Sequence, residues 1–441
     1  MKPSAVLLVL LLAGCATPLP QRPVAPPEWA HAPSGANRLS GDWWKEFGDP
    51  QLDRLVREAW QRNPDVEVAL HRVQAARADR FEAMARLFPQ AGLAVGFREG
   101  REQDRTTGFR PVDLDPWTAD GGISWEIDLS GRLGARVAAA EAGEAVAWAK
   151  WRGVRLLVAT EVCAARFEQS LLAGEIQRQR EQLRDEEKAT RFSNELLERG
   201  LISRAEHGQR VESVESLRRG VSELDRLREN ARLRLARLLA GASVPEPADD
   251  FRVPATPSRV PAAVWQSRPD LIAGEAEVRQ AFALQDAAKL DLLPSLSLAA
   301  GGDLASSSLR GNYDMWKASV GPRLEIPIWD PARIGQVARS RAEAAGASAR
   351  FRSTADMAVE EIERAYVNLA HFRGQLASLE REMAVKRGIW RDAESKSGSG
   401  IDSEIATIGP ARSYRDTAAL VSRMKLRVLD AQLQLIRALG G

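Results

Sequence analysis

The chain has 441 residues and a formal net charge of +2, with 62 basic and 60 acidic residues interspersed along the sequence. This balance leaves no basic face for nucleic acid and excludes that class of partner. The only cysteines are Cys15 and Cys163, which excludes a disulfide framework and a thiolate metal site.

The N-terminus has the pattern of a lipoprotein signal. Lys2 precedes a short apolar run, residues 5–12, and the small residues Ala13 and Gly14 lead directly to Cys15. The run is shorter than the roughly 20 residues of a membrane-spanning helix, and its order is typical of a secretory signal. We predict that residues 1–14 are a signal peptide and that Cys15 carries acyl chains that anchor the protein stably. The alternative is an ordinary cleaved signal with an incidental cysteine.

The segment that follows, residues 15–42, is rich in proline. Such a composition stays extended and is typical of a tether. Folded structure is therefore expected to begin near Trp43.

Two long proline-free stretches, 117–244 and 332–409, are dense in Ala, Leu, Arg and Glu. Proline costs roughly 3 kcal/mol inside a helix, so its absence over such lengths predicts long helices. The chain after the signal has no uninterrupted apolar run of about 18 residues, as a membrane-spanning helix requires. Any membrane crossing is therefore expected to use β-strands.

The chain contains an internal repeat of about 200 residues. Residues 63–65 (NPD) and 87–89 (LFP) match residues 268–270 (RPD) and 292–294 (LLP). The same order continues in three further pairs: 125–127 with 324–326, 131–133 with 332–334, and 200–203 with 400–403. Both halves end on related segments, 238–241 and 438–441.

Each half is predicted to run helix, strand, loop, strand, very long helix, turn, shorter helix. The predicted strands are 92–98, 117–129, 295–304 and 315–328, with alternating faces and aromatic residues toward their ends. The predicted long helices, 131–199 and 331–399, would each measure on the order of 100 Å. Four strands cannot close a membrane barrel, which needs about eight, so several copies must assemble.

The sequence resembles the TolC-like outer-membrane efflux proteins, in particular the NodT-type lipoprotein branch that serves resistance-nodulation-division (RND) pumps. The matching motifs are residues 43–52 (WWKEFGDPQL), 63–65 (NPD), 125–132 (WEIDLSGR) and the turn segments at Gly200 and Gly400. Their order and spacing extend from the lipoprotein signal to the last residue.

This resemblance implies an α+β membrane protein with two structural repeats, 43–241 and 262–441. It implies a homotrimer in which each protomer gives four strands to a 12-stranded β-barrel, continuous with a long periplasmic α-helical barrel. Residues 242–261 would form a linker or an equatorial belt around the tunnel. A plain surface linker is an equally acceptable interpretation.

The implied function is the exit duct of a tripartite efflux or export system in the outer membrane. The duct would passively conduct drugs or other small molecules. Its partners would be a periplasmic adaptor, an inner-membrane pump of the RND type and outer-membrane lipid. No cofactor is expected.

Other functions fit the sequence less well. The four histidines are scattered, no metal-ligand or nucleophile-elbow spacing occurs, and an enzyme is not expected. A coiled-coil stalk lipoprotein would lack the tryptophan-bearing strands. A passive porin would be nearly all strand, whereas most of this chain has helical patterning.

The two turns between the long and the shorter helices are the predicted adaptor-docking tip. Glycine permits the left-handed backbone that such a reversal needs. The residues concerned are Gly200, Leu201, Ile202, Gly400 and Ile401. The alternative is that they only form turns.

A gate is predicted beyond the second turn. The family's usual aspartate is replaced by Gly409, followed by Pro410, which tends to kink or stop a helix. Asp402 and Glu404 are the nearest carboxylates, and three copies of each could repel anions at a trimer axis. Alternatively they are solvated, or Asp402 caps the returning helix.

Overall fold

The computed structural model describes residues 17–33, 37–97, 100–102, 112–113, 117–247, 251–306 and 315–441. The helices are α1 (Leu52–Arg62), α2 (Pro64–Ala85), α3 (Arg132–Glu198), α4 (Arg204–Leu238), α5 (Pro261–Ser267), α6 (Pro269–Leu290), α7 (Pro331–Gly398) and α8 (Ile408–Ala438). The strands are β1 (Asn37–Arg38), β2 (Gln90–Phe97), β3 (Arg101–Glu102), β4 (Val112–Asp113), β5 (Trp117–Ile127), β6 (Pro257–Ser258), β7 (Ser295–Ser306) and β8 (Met315–Glu325). Within these ranges no helix combines the length and the apolar character needed to cross a bilayer.

The two long helices have 67 and 68 residues and agree with the predicted ranges to within one residue at each end. Proline explains one of these ends. Pro331 begins α7, where a missing N–H costs nothing because the first N–H groups of a helix have no intrahelical acceptor. Each long helix ends just before a glycine turn.

The second half repeats the element order of the first. Helix α2, strands β2 and β5 and helices α3 and α4 are followed by α6, β7, β8, α7 and α8. Equivalent contacts support the repeat: Asn63 donates to the carbonyl of Leu238 (3.1 Å), and Arg268 donates to the carbonyl of Ala438 (3.2 Å). Each contact satisfies a carbonyl at the end of the shorter helix, where helical acceptors lack partners.

The four long strands form one antiparallel sheet in the order β2-β5-β7-β8. At its middle Gly121 and Gly122 lie opposite Gly302 and Gly301. Glycines in a strand permit close backbone approach, and a Cβ added at Gly302 would lie 2.9 Å from the carbonyl oxygen of Lys317. In the described part of the sheet, β2 and β8 are the edge strands.

The chain divides into two units, and each takes residues from both halves. Unit 1 comprises residues up to Pro23, His71–Trp148 and Ala273–Ser353, and it contains the sheet. Unit 2 comprises Val24–Leu70, Ala149–Ile272 and Thr354–Gly441.

The core of unit 2 forms around the motif at residues 43–52. Trp43 and Phe47 are buried, and the rings of Phe47 and Phe251 pack against Phe167 with centroid distances of 4.8 and 4.6 Å. Burial also raises the pKa of the Cys163 thiol, so this cysteine acts as a small apolar residue.

The segment before α5 also packs in unit 2. Strand β6 pairs in parallel with β1. Tyr366 donates to the carbonyl of Pro257 (3.3 Å), and Gln432 donates to the carbonyl of Ala255 (3.1 Å). These contacts hold residues 251–261 against α7 and α8, so this part of the chain is not a loose surface linker.

The expectation that folded structure begins near Trp43 is wrong. Trp29 is only 7% exposed and donates its indole N–H to the carbonyl of Arg259 (2.7 Å). Thr17 is hydrogen-bonded to Asp286. The proline-rich composition carries no information about the helix surfaces that bind this segment.

Candidate functional site

One face of the sheet is apolar and exposed. Directly opposite residues on neighbouring strands point to the same face, so the register assigns each side chain to one of the two faces of the sheet. This face carries Leu93, Val95, Phe97, Ile123, Trp125, Leu298, Trp316, Val320 and Leu324. All are between 36% and 77% exposed. A contiguous apolar surface of this kind marks contact with lipid or protein.

The opposite face is polar or small. It carries Thr118, Asp120, Ser124, Glu126, Ser297, Asp303, Lys317, Ser319 and Arg323. Asp120, Asp303 and Lys317 lie in one row across three strands, and all three are exposed. The sheet therefore separates an apolar from a water-compatible surface.

Ion pairs join the sheet to the long helices within unit 1. Arg132 at the start of α3 binds Glu126 and lies 3.1 Å from Asp291. The equivalent Arg333 at the start of α7 lies 3.2 Å from Glu325. Because the arginine and its carboxylate partner recur in both halves, each long helix is fixed to the strand that precedes it.

Both predicted tip turns have the same backbone geometry. Gly200 and Gly400 each have φ +71°, in the left-handed region. The N–H of Leu201 donates to the carbonyl of Leu196 (2.8 Å), and that of Ile401 donates to the carbonyl of Lys396 (3.0 Å). This is the helix-ending turn in which the residue after the glycine often packs back on the helix.

Here those apolar residues do not pack back. Leu201 is 66% exposed and Ile401 is 77% exposed, while Ile202 is half-buried. Two equivalent turns therefore each present an uncovered branched apolar side chain.

A groove of about 620 Å³ lies beside the second turn in unit 2, between α3, α7 and α8, and is lined there by Ser397 and Ser403. Trp390 lines this groove and stacks on Tyr414 with a centroid distance of 5.2 Å and an interplanar angle of 15°. Arg415 and Asp185 form an ion pair of 2.7 Å in its wall. The groove thus offers aromatic and charged groups together.

The predicted gate residues lie in the second turn. Asp402 is exposed and its carboxylate accepts from the N–H of Ser403 (3.2 Å). It does not cap α8, whose first residue is Ile408 and whose N-cap position is Thr407. The side chain of Glu404 lies outside the described residues.

Gly409 and Pro410 fall in the first turn of α8. A short 3-10 helix, Glu404–Thr407, occupies the place where the equivalent helix α4 has already begun. Proline is tolerated in a first turn because no intrahelical acceptor exists there for its missing N–H. Pro410 therefore coincides with a delayed helix start.

Cys15 lies outside the described residues. Within the described ranges no group of three His, Cys, Asp or Glu side chains is arranged to hold a metal ion.

Sequence reasoning missed the charged row across β5, β7 and β8 and the binding of residues 17–31 to helices. The alternating pattern of each strand could have shown that these three charged residues lie on the polar face. Only the pairing of the strands shows that they lie opposite one another.

Comparisons with known proteins agree with this architecture. The family model described as outer membrane efflux protein matches residues 55–241 and 260–441. The pyoverdine export outer membrane protein OpmQ of Pseudomonas aeruginosa is 26% identical over 462 aligned residues, covering 99% of this chain and 96% of that protein. The probable outer membrane lipoprotein SilC of Salmonella typhimurium is 27% identical over 346 residues, covering 74% of this chain and 73% of that protein. Among solved structures, the outer-membrane channel OprN matches with a TM-score of 0.83 at 22% identity, covering 97% of this chain and 99% of that chain, which shows a shared fold.

Proposed function

We propose that this chain assembles into a trimeric exit duct. The chain belongs to the outer membrane efflux protein family and is an outer-membrane efflux channel. The sheet carries this proposal. It has an exposed apolar face, a polar face and two edge strands, and four strands are too few to close around water. Two further copies would pair the edges into a barrel of 12 strands with lipid outside and water inside.

The test is the oligomeric state and conductance of the full chain purified from outer membranes. We expect three copies by light scattering in detergent and discrete conductance steps in planar bilayers. A monomer without conductance would contradict the proposal.

We further propose that the duct works with a periplasmic adaptor and an inner-membrane pump of the RND type. The polar sheet face suits passive flow of hydrated cargo. Deleting the gene for the adaptor or the gene for the pump should abolish efflux as fully as deleting the gene for this chain. Undiminished efflux without a pump would argue against a tripartite system.

The adaptor-docking tip is proposed at Gly200, Leu201, Ile202, Gly400 and Ile401. Uncovered Leu201 and Ile401 supply apolar contacts that an adaptor helix could bury. Leu201→Arg and Ile401→Arg should abolish efflux while the trimer persists. Leu233→Arg, at an exposed leucine within α4, is the control and should transport normally. Normal efflux by both tip variants would move the docking site elsewhere.

Cys15 is proposed to be lipidated, from the residues that precede it. Labelling cells with a radioactive fatty acid should mark the wild type and not Cys15→Ser. Label retained by Cys15→Ser would contradict this assignment.

Asp402 and Glu404 are proposed to narrow the duct. Asp402 is exposed and does not cap α8, which leaves its charge available. Asp402→Ala and Glu404→Ala should raise conductance and lower cation selectivity in planar bilayers. If both values stay at wild-type levels, the delayed helix start at Pro410 becomes the remaining candidate.

A further inference from the structure

The N-terminal segment is bound to α6 in unit 1. The backbone N–H of Thr17 donates to both carboxylate oxygens of Asp286, at 3.1 Å each. The Thr17 hydroxyl also binds this carboxylate, and Lys289 binds the hydroxyl. The Lys289 ammonium lies 3.5 Å from Asp286, whose side chain is 19% exposed. Hydrogen bonds to an ionised acceptor are about twice as strong as neutral ones.

A second contact lies further along the same helix face, where Arg22 pairs with Glu275. Glu275 and Asp286 are eleven residues apart, which is about three turns and about 16 Å. Thr17 and Arg22 are five residues apart, and an extended proline-rich chain covers about 16 Å over that interval. The matched spacing lets the segment run antiparallel along α6 with both contacts made at once.

The repeated helix α2 does not offer this surface. Counting from the equivalent prolines Pro64 and Pro269, the positions of Glu275, Asp286 and Lys289 correspond on α2 to three apolar residues: Leu70, Phe81 and Met84. These are 37%, 73% and 37% exposed. The two helices are structural counterparts, but only α6 carries the charges that bind the segment.

A carboxylate also binds the segment's backbone in unit 2. Glu363 on α7 accepts from the N–H of Ala30 (2.7 Å) and from the N–H of His31 (3.0 Å). The His31 ring nitrogen Nδ1 lies 2.8 Å from the same carboxylate. Asp286 and Glu363 thus bind the segment in the same way, because each carboxylate accepts hydrogen bonds from the main chain.

We propose that residues 17–31 form a strap, a segment docked on the helices. Asp286 and Glu275 direct the first part of this strap to α6 and not to α2. Asp286 is the residue that positions the N-terminal end of the strap. The consequence for the anchor rests on the proposed lipidation. Cys15 precedes Thr17 by two residues, which span at most about 7 Å. The acyl chains would then leave unit 1 at the last turn of α6, close to where β7 begins at Ser295.

A spin label at Leu19→Cys in the full chain, reconstituted in lipid, reports whether the strap is docked or mobile. Leu19 is 53% exposed, whereas Cys163 is fully buried and should not react. The protein without Leu19→Cys is carried as the labelling blank. We expect a motionally restricted spectrum that Asp286→Ala converts to a mobile one, with the undocked fraction rising about tenfold or more, as expected for loss of a charged hydrogen bond. Glu82→Ala on α2 is the matched control and should leave the spectrum unchanged.

Charge reversal separates docking from general destabilisation. Arg22→Glu and Glu275→Arg should each mobilise the label, and the double variant should restore the restricted spectrum. A mobile label in the parent protein overturns the docking, and an unchanged spectrum in Asp286→Ala overturns the positioning role. A double variant that stays mobile overturns the pairing of charges. Conductance of the same samples tests the duct independently, because label mobility does not depend on a functioning channel.

Discussion

At the scale of single residues, one buried ion pair supports the motif at residues 43–52. Nε of Arg166 lies 2.8 Å from Oδ2 of Asp49, and the two side chains are 2% and 1% exposed. Arg166 also donates to the carbonyl of Pro245 (3.0 Å), and Asp49 accepts from the N–H of Gln51 (2.8 Å). The pair joins α3 to the turn before α1 and to the chain after α4.

We predict that Asp49→Ala destabilises the protein by about 3–5 kcal/mol, because it leaves the guanidinium of Arg166 buried without its counter-charge. The apparent unfolding midpoint in detergent, followed by circular dichroism, should fall markedly. Asp225→Ala removes an exposed pair with Arg180 (2.9 Å) and should shift the midpoint little. Equal effects of the two substitutions would contradict the importance of burial.

Asp430 on α8 makes stability depend on pH. Burial, and then the nearby charge of Glu168, raise the pKa of Asp430 to about 6, against the opposing effect of Arg234. Since the folded state binds this proton more tightly than the unfolded state, the stability contribution falls as the pH rises from about 4 through about 6.

Asp430→Asn should therefore be more stable than the wild type at pH 7.5, because the amide carries no charge to desolvate. The difference should shrink as the pH falls toward 4, where the wild-type carboxyl is protonated in the folded state and about half protonated in the unfolded state. Unfolding midpoints measured at both pH values test this. A gap between the variants that does not change with pH would refute it.

At the scale of elements, glycine has opposite effects in turns and in helices. Gly200 ends the reversal between α3 and α4 with φ +71°, and nothing lies within 4 Å of a Cβ added there. Gly208 lies inside α4 and also has open space around it. Backbone conformation, not crowding, therefore distinguishes the two positions.

We predict that Gly200→Ala costs about 1–2 kcal/mol because a Cβ disfavours the left-handed region. Gly208→Ala should stabilise by about 0.5–1 kcal/mol because alanine loses less conformational freedom in a helix. Unfolding midpoints that move in opposite directions are expected. A destabilised Gly208→Ala would point to an unrecognised contact at that helix surface.

At the scale of the whole molecule, the apolar sheet face needs a non-aqueous environment. Val320 and Ser319 are neighbours in the middle of β8, yet they point to opposite faces. Val320 is 77% exposed on the apolar face. The two positions therefore test the two faces of the sheet with the same local backbone.

We predict that Val320→Arg reduces assembly in the outer membrane, because arginine on the lipid face costs about 2–4 kcal/mol near the bilayer midplane. Ser319→Arg places the same side chain on the polar face and should assemble normally. The amount of folded protein in outer-membrane fractions distinguishes them. Normal assembly of Val320→Arg would show that lipid does not cover this face.

The elements and their duplication were predictable from the sequence alone. Long proline-free stretches, glycine turns and alternating strands predicted α3 and α7 to within one residue at each end, and β2, β5, β7 and β8 to within a few residues. These features are local, since propensity and periodicity act within a few residues of chain. Pro410 shows the limit of this reasoning: a kink or stop in a continuing helix was predicted there, whereas the structure has Pro410 in the first turn of α8, after a 3-10 helix.

Contacts between residues far apart in the sequence became visible only in the folded chain. Asp49 and Arg166, or Thr17 and Asp286, are separated by more than a hundred residues, and no local preference links them. From the sequence alone, a charged side chain is expected on the solvated surface. In the structure, however, Arg166 is buried and Asp286 binds a backbone N–H. The partner of each depends on how the repeated helices pack, which is fixed by long-range burial of apolar surface.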